Sequence, residues 1–192
     1  MIQVRVHGRG GQGVVTTAEL LSVAAFAEGR HAQAFPSFGS ERTGAPVVAF
    51  CRLDDRPIRV REPVSEPDAV IVQDATLLRQ VDVLAGLRPG GFLLVNSTRC
   101  PADLGLDDVA RVLGPGRLQT LPATELALTH LGRPLPGAVL LAGFAALTGE
   151  VRLSSVESAI RERFHGAVAA GNLAAAREAY SLVGNGKEST HA

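Results

Sequence analysis

The sequence predicts a single three-layer α/β domain on a largely parallel, mixed sheet, with a Rossmann-like glycine turn after its first strand. Three observations carry that expectation. Strand-length runs such as "IQVRV" (2–6), "DAVIVQD" (68–74) and "FLLVNS" (92–97) alternate with segments of helical period. The runs at 68–74 and 92–97 are apolar almost throughout, as in strands covered on both faces. Gly8, Gly10 and Gly13 stand between the first strand and the first helix at G-x-G-x-x-G spacing.

The elements follow in order. After 2–6 comes a helix, "VVTTAELLSVAAFAEG" (14–29), stopped at Gly29. "HAQAF" (31–35) is a second strand ended by Pro36, and "PSFGSERTGAP" (36–46) is a loop. "VVAFCRL" (47–53) and "IRVR" (58–61) read as a hairpin across Asp54–Pro57. "LLRQVDVLAGL" (77–87) is a helix between the two buried strands, with Arg88-Pro89-Gly90-Gly91 as its stop. A weaker strand is expected at 117–122, and helices at 123–131, 137–149, 154–164 and 167–183. No repeat or linker divides the chain, so residues 1–184 form the domain and 185–192 a polar tail expected to fray.

Composition narrows the function. With 19 basic and 19 acidic residues the formal charge of the 192-residue chain is zero, which excludes a general nucleic-acid or anionic-membrane binder. Lys187 is the only lysine; the other cations are arginines, suited to bidentate grips on phosphate and carboxylate. No targeting segment or membrane-length apolar run is visible, so a cytoplasmic location is expected. Cys51 and Cys100 lie far apart and are expected to be free, buried thiols. Two thiols are too few for an iron–sulfur cluster, which takes four ligands. His7, His31, His130, His165 and His191 are scattered, which suits structural or surface roles. Asp54-Asp55 and Asp107-Asp108 read as turn and helix-cap residues. No nucleophile–base set or metal-ligand cluster emerges, so neither catalytic residues nor a metal site is assigned.

The glycine turn carries the chemistry. A dinucleotide site also needs an acid about 20 residues on, at the end of the second strand. That strand ends in Phe35 and Pro36, and the nearest acids, Glu28 and Glu41, sit at a helix end and in a loop. A conventional NAD or FAD site is therefore disfavoured. Tight strand–helix packing and an anion site at the helix start both stay open. Arg9 and Gln12 are expected at the rim of the turn. The loop "SFGSERTG" (37–44) is expected on the same sheet edge, with Arg42 as an anion grip and Glu41 its partner or competitor. The candidate binding set is Gly8, Arg9, Gly10, Gly11, Gln12, Gly13, Ser37, Phe38, Gly39, Glu41, Arg42 and Thr43.

Taken together, "GRGGQGV" (8–14), "FPSFGSERTGAPV" (35–47), "PDAVIVQDATLL" (67–78) and "RPLPGAVLLAGFAAL" (133–147) resemble the gamma subunit, or gamma domain, of 2-oxoacid:ferredoxin oxidoreductases such as the pyruvate enzyme. The resemblance covers most of the chain; the family usually has Asn where this chain has Gly137. It implies an enzyme subunit that is not catalytically self-sufficient. Thiamine diphosphate, Mg2+ and iron–sulfur clusters would belong to partner subunits, and coenzyme A would be the co-substrate. Partners would be alpha and beta subunits, a ferredoxin-like delta subunit where four kinds occur, and ferredoxin as the acceptor. The complex would decarboxylate a 2-oxoacid such as pyruvate to acyl-CoA. Two other readings remain: the small subunit of an indolepyruvate:ferredoxin oxidoreductase, and a stand-alone nucleotide-binding or regulatory module.

Overall fold

A computed structural model describes residues 1–37 and 43–189, without side chains for 187–189. Its strands are β1 (Ile2–Arg9), β2 (His31–Pro36), β3 (Pro46–Asp54), β4 (Ala69–Val72), β5 (Phe92–Asn96) and β6 (Leu118–Leu121). Its helices are α1 (Val14–Ala27), α2 (Asp107–Leu113), α3 (Ala123–Leu131), α4 (Gly137–Thr148), α5 (Leu153–Arg163) and α6 (Gly166–Ser189). The six strands form one sheet in the order β2-β3-β1-β4-β5-β6. The β1–β4, β4–β5 and β5–β6 pairs are parallel, while β3 runs antiparallel to both β1 and β2. The expected three-layer α/β fold with a mixed sheet is the fold observed.

Strand periodicity sorts the side chains onto two faces. Val4, Val6, Ala69, Ile71, Leu94 and Leu121 face a large core built with α1, α3, α4, α5 and α6. Of the ten α4 residues from Ala138 to Leu147 all but Ala146 are buried, so α4 is the central helix of that layer. On the opposite face Val70, Val72, Leu93 and Val95 meet Leu77, Val83, Leu106 and Leu113 in a second, smaller core.

Two buried arginines organise the cover of that second face. Arg5 on β1 is 7% exposed and donates to the carbonyls of Val64, Val83 and Ala85. Arg52 on β3 is 1% exposed, lies over the Phe35 ring at 5.2 Å, and donates to the carbonyls of Val60 and Glu62. Burial lowers the pKa of each guanidinium, partly offset by Asp82 beside Arg5 and Glu62 beside Arg52. Among the described residues neither has a carboxylate within ion-pair distance; backbone oxygens take most of their N–H groups, Gln3 Oε1 accepts from Arg52 Nε, and Arg5 Nε has no partner.

This explains two departures from the sequence reading. Residues 58–61 are not a strand, and 77–87 is not a helix but a 3-10 turn (Ala75–Arg79) followed by further turns. Regular hydrogen bonding would consume the carbonyls of residues 60–64 and 83–85, which the buried guanidiniums need instead. The helix α2 was read only as cap residues; Asp107 and Asp108 occupy its first turn, where carboxylates favour the dipole. The helix α6 runs to Ser189, beyond the boundary set at 184. Of the two free thiols, Cys51 is buried as expected and Cys100 is exposed.

Candidate functional site

The turn after β1 uses its glycines in different ways. Gly11 (φ +93°) and Gly13 (φ +73°) hold left-handed backbone that side chains resist. A Cβ on Gly8 would lie 2.5 Å from Val14 Cγ2 and 2.9 Å from Gln73 Oε1, so its bareness lets helix and strand meet. Gly10 N donates to Ala45 O at 2.9 Å, Gly44 N donates to Gly10 O at 3.1 Å, and Gly10 bridges Thr43. Residues 43–45 therefore share the carboxyl edge of the sheet with the glycine turn, as the sequence suggested.

Beside them lies a cleft of about 640 Å³ lined by Arg9, Gly10, Gly11, Gly13, Val14, Val15, Thr16, Pro36, Ser37 and Val47. Among the described residues, no carboxylate lines it. The start of α1 points its peptide dipole here: Gly13 offers no side-chain cap and the first turn holds no acid. Among the described residues, the Val14, Val15 and Thr16 amides have no acceptor. Open amides at a helix start form an anion cradle.

Arg9 and Gln12 are turned inward rather than set as free groups at the rim. Arg9 Nε donates to Asp74 Oδ2 at 2.9 Å, and its other nitrogens donate to Gly44 O, Thr76 Oγ1 and Gln80 Oε1. Gln12 folds over its own turn, accepting from Arg9 N and donating to Asp74. Burial alone would raise the Asp74 pKa, but hydrogen bonds from Thr76, Gln12 and Arg9 outweigh it and hold the carboxyl below its ordinary range. The acid missing from the second strand thus has a counterpart at the end of β4, committed to bracing the turn.

A buried polar chain stiffens the same edge. Gln73 Nε2 donates to Thr17 Oγ1 at 2.7 Å, and Thr17 donates to Gly13 O. Asn96 Nδ2 donates to Gln73 O and to Thr124 Oγ1, joining the ends of β4 and β5 to the start of α3. A Cβ at Gly137 would lie 2.4 Å from Thr17 Oγ1, so the Asn that the sequence resemblance leads one to expect does not fit beside Thr17 as placed here. Asp74, Gln73 and Asn96 were not singled out from the sequence. Their signal is positional: each is a polar residue at the carboxyl end of a buried parallel strand.

Of the candidate residues, the structure gathers Gly8, Arg9, Gly10, Gly11, Gln12, Gly13, Ser37 and Thr43 around this edge. Phe38, Gly39, Glu41 and Arg42 lie outside the described residues. Among the described residues, no group of three His, Cys, Asp or Glu is placed to hold a metal ion. Likewise no described helix is long and apolar enough to cross a membrane.

Residues 3–182 match the family model described as pyruvate ferredoxin/flavodoxin oxidoreductase. The chain belongs to that family. It is 48% identical over 181 residues to a Thermococcus kodakarensis protein named "Pyruvate/ketoisovalerate oxidoreductases common subunit gamma", covering 94% of this chain and 96% of the relative. It is 52% identical over 161 residues to "Pyruvate synthase subunit PorC" of Methanosarcina barkeri, covering 84% and 85%. Among solved structures, pyruvate oxidoreductase subunit PORC from Thermotoga maritima superposes with a TM-score of 0.79 at 33% identity, covering 94% of this chain and 95% of that one. With 84% or more of each chain covered in all three comparisons, the family's gamma-type subunits are the reference for this chain.

Proposed function

We propose that this chain is the gamma subunit of a cytoplasmic, multi-subunit 2-oxoacid:ferredoxin oxidoreductase, forming one wall of the coenzyme A site and contributing to assembly. The observation that supports the coenzyme role is the uncapped start of α1 opening on the 640 Å³ cleft, in a member of this family. Those amides suit the diphosphate of a coenzyme, and Arg42, on the adjoining loop, suits a further phosphate. Arg9 serves by holding the turn in place.

The donor set limits what else the chain holds. Cys51 and Cys100 cannot supply a cluster's four thiolates, so the proposal leaves iron–sulfur chemistry and the thiamine diphosphate–magnesium centre to partner subunits. When bound, thiamine diphosphate supplies the carbon nucleophile for decarboxylation. This chain's own residues bind and orient the anionic co-substrate. Exposed Phe26, at 74%, is an apolar group available to an adjoining subunit.

The test is co-expression with the adjoining thiamine diphosphate and ferredoxin-like subunits, followed by viologen reduction at varied coenzyme A. Arg42→Ala should raise the coenzyme A requirement about ten- to a hundred-fold, with decarboxylation largely retained. An unchanged requirement with an intact melt overturns the coenzyme role; failure to assemble at all overturns the subunit assignment.

A further inference from the structure

A second pocket, about 310 Å³ in volume, opens at the carboxyl ends of β4 and β5, and Arg79, Arg99, Ser97 and Gln80 are among its lining residues. We infer that it is a phosphate-binding site for a small phosphorylated ligand, separate from the glycine-turn cleft.

The free polar groups here are donors. Neither Arg79 nor Arg99 forms an ion pair among the described residues, and no carboxylate lines the pocket. Arg99 is anchored rather than loose: its side chain donates to the Asp103 carbonyl and its backbone N–H donates to Ser97 Oγ. That leaves the Ser97 hydroxyl proton free to donate. Gln80 Oε1 is taken by Arg9 at 2.7 Å, which leaves its amide NH2 for a ligand. Two guanidiniums, one hydroxyl and one amide match a phosphate dianion in charge and in donor count.

Three further facts favour a small ligand. The pocket sits outside the carboxyl ends of two adjacent parallel strands, β4 and β5, between the segments that follow them over the smaller core. Its volume lies at the lower end of the roughly 300–1,000 Å³ of small-molecule sites. Leu78 and Leu104 supply apolar surface for a carbon body beside the phosphate. The Arg9–Thr76 and Arg9–Gln80 hydrogen bonds form the wall between this pocket and the glycine-turn cleft.

The experiment is an amide-resolved NMR titration of the full 192-residue chain with inorganic phosphate at constant ionic strength. Saturable shifts at Thr76, Ser97 and Arg99, with a Kd on the order of 1 mM or tighter, are expected. Arg79→Ala and Arg99→Ala should each weaken that binding about tenfold, with the thermal melt and the remaining spectrum unchanged. Shifts at Gly10–Thr16 report the other cleft separately, so each site is scored by itself. The proposal is overturned if the pocket amides do not titrate, or if they titrate equally in both variants. It is also overturned if phosphate leaves the pocket untouched while the double variant fails to join the partner subunits, which would make the pocket a protein contact.

Discussion

The Arg9 guanidinium donates to the Asp74 carboxylate at 2.9 Å, across the point where the sheet changes sides. From β1 the chain passes to α1 in the larger core; from β4 it passes through Leu77 to the smaller one. Open α/β sheets leave a crevice at such a divergence. Here the ion pair spans it, and the glycine turn is braced against β4 before any ligand arrives.

Arg9→Ala should therefore act first on stability. The side chain is 22% exposed and makes four hydrogen bonds, one to a carboxylate. A loss of about 1.5–3 kcal/mol in denaturant unfolding is expected. A variant with unchanged stability but altered coenzyme A dependence would instead place Arg9 on the ligand.

The buried arginines should be costlier to lose. Arg5→Met removes the donor to Val64, Val83 and Ala85, and Arg52→Met removes the donor to Val60 and Glu62. Carbonyls left without their donors each cost about 1–3 kcal/mol, so Arg5→Met should lose at least about 3 kcal/mol and Arg52→Met at least about 2 kcal/mol. Hydrogen exchange should rise in residues 58–66 and 82–88 before it rises in α4. Uniform exchange across both layers would show that the arginines do not pin the cover.

His7 makes the fold acid-sensitive. It is 5% exposed, its Nε2 has no partner, and burial together with Arg5 lowers its pKa to about 4, against an opposing pull from Asp82. The unfolded chain takes up a proton near pH 6.5 while the folded chain refuses it until about 4. Stability from this group is present above pH 6.5 and is lost as pH falls through that window. Between pH 7 and pH 5 the wild type should lose up to about 2 kcal/mol more than His7→Gln. Parallel pH profiles for the two proteins would rule out a buried neutral imidazole.

Much of this was legible in the chain because it depends on local rules. The apolar runs at 68–74 and 92–97 are strands, since only doubly covered strands need to be apolar on both faces. Gly11 and Gly13 mark the turn because few other residues accept their backbone angles. The adjacency of Thr43 and Gly44 to the glycine turn followed from strand direction alone. Tertiary packing decided the rest. A helical pattern at 77–87 yielded to the carbonyl demand of Arg5, some 80 residues away in sequence. Arg9 reads as a binding residue at the rim of the turn until Asp74 is brought beside it, 65 residues on, and then the charge is committed. Periodicity and turn chemistry act over a few residues, whereas the partner of a buried charge is chosen by whichever segment the fold lays against it.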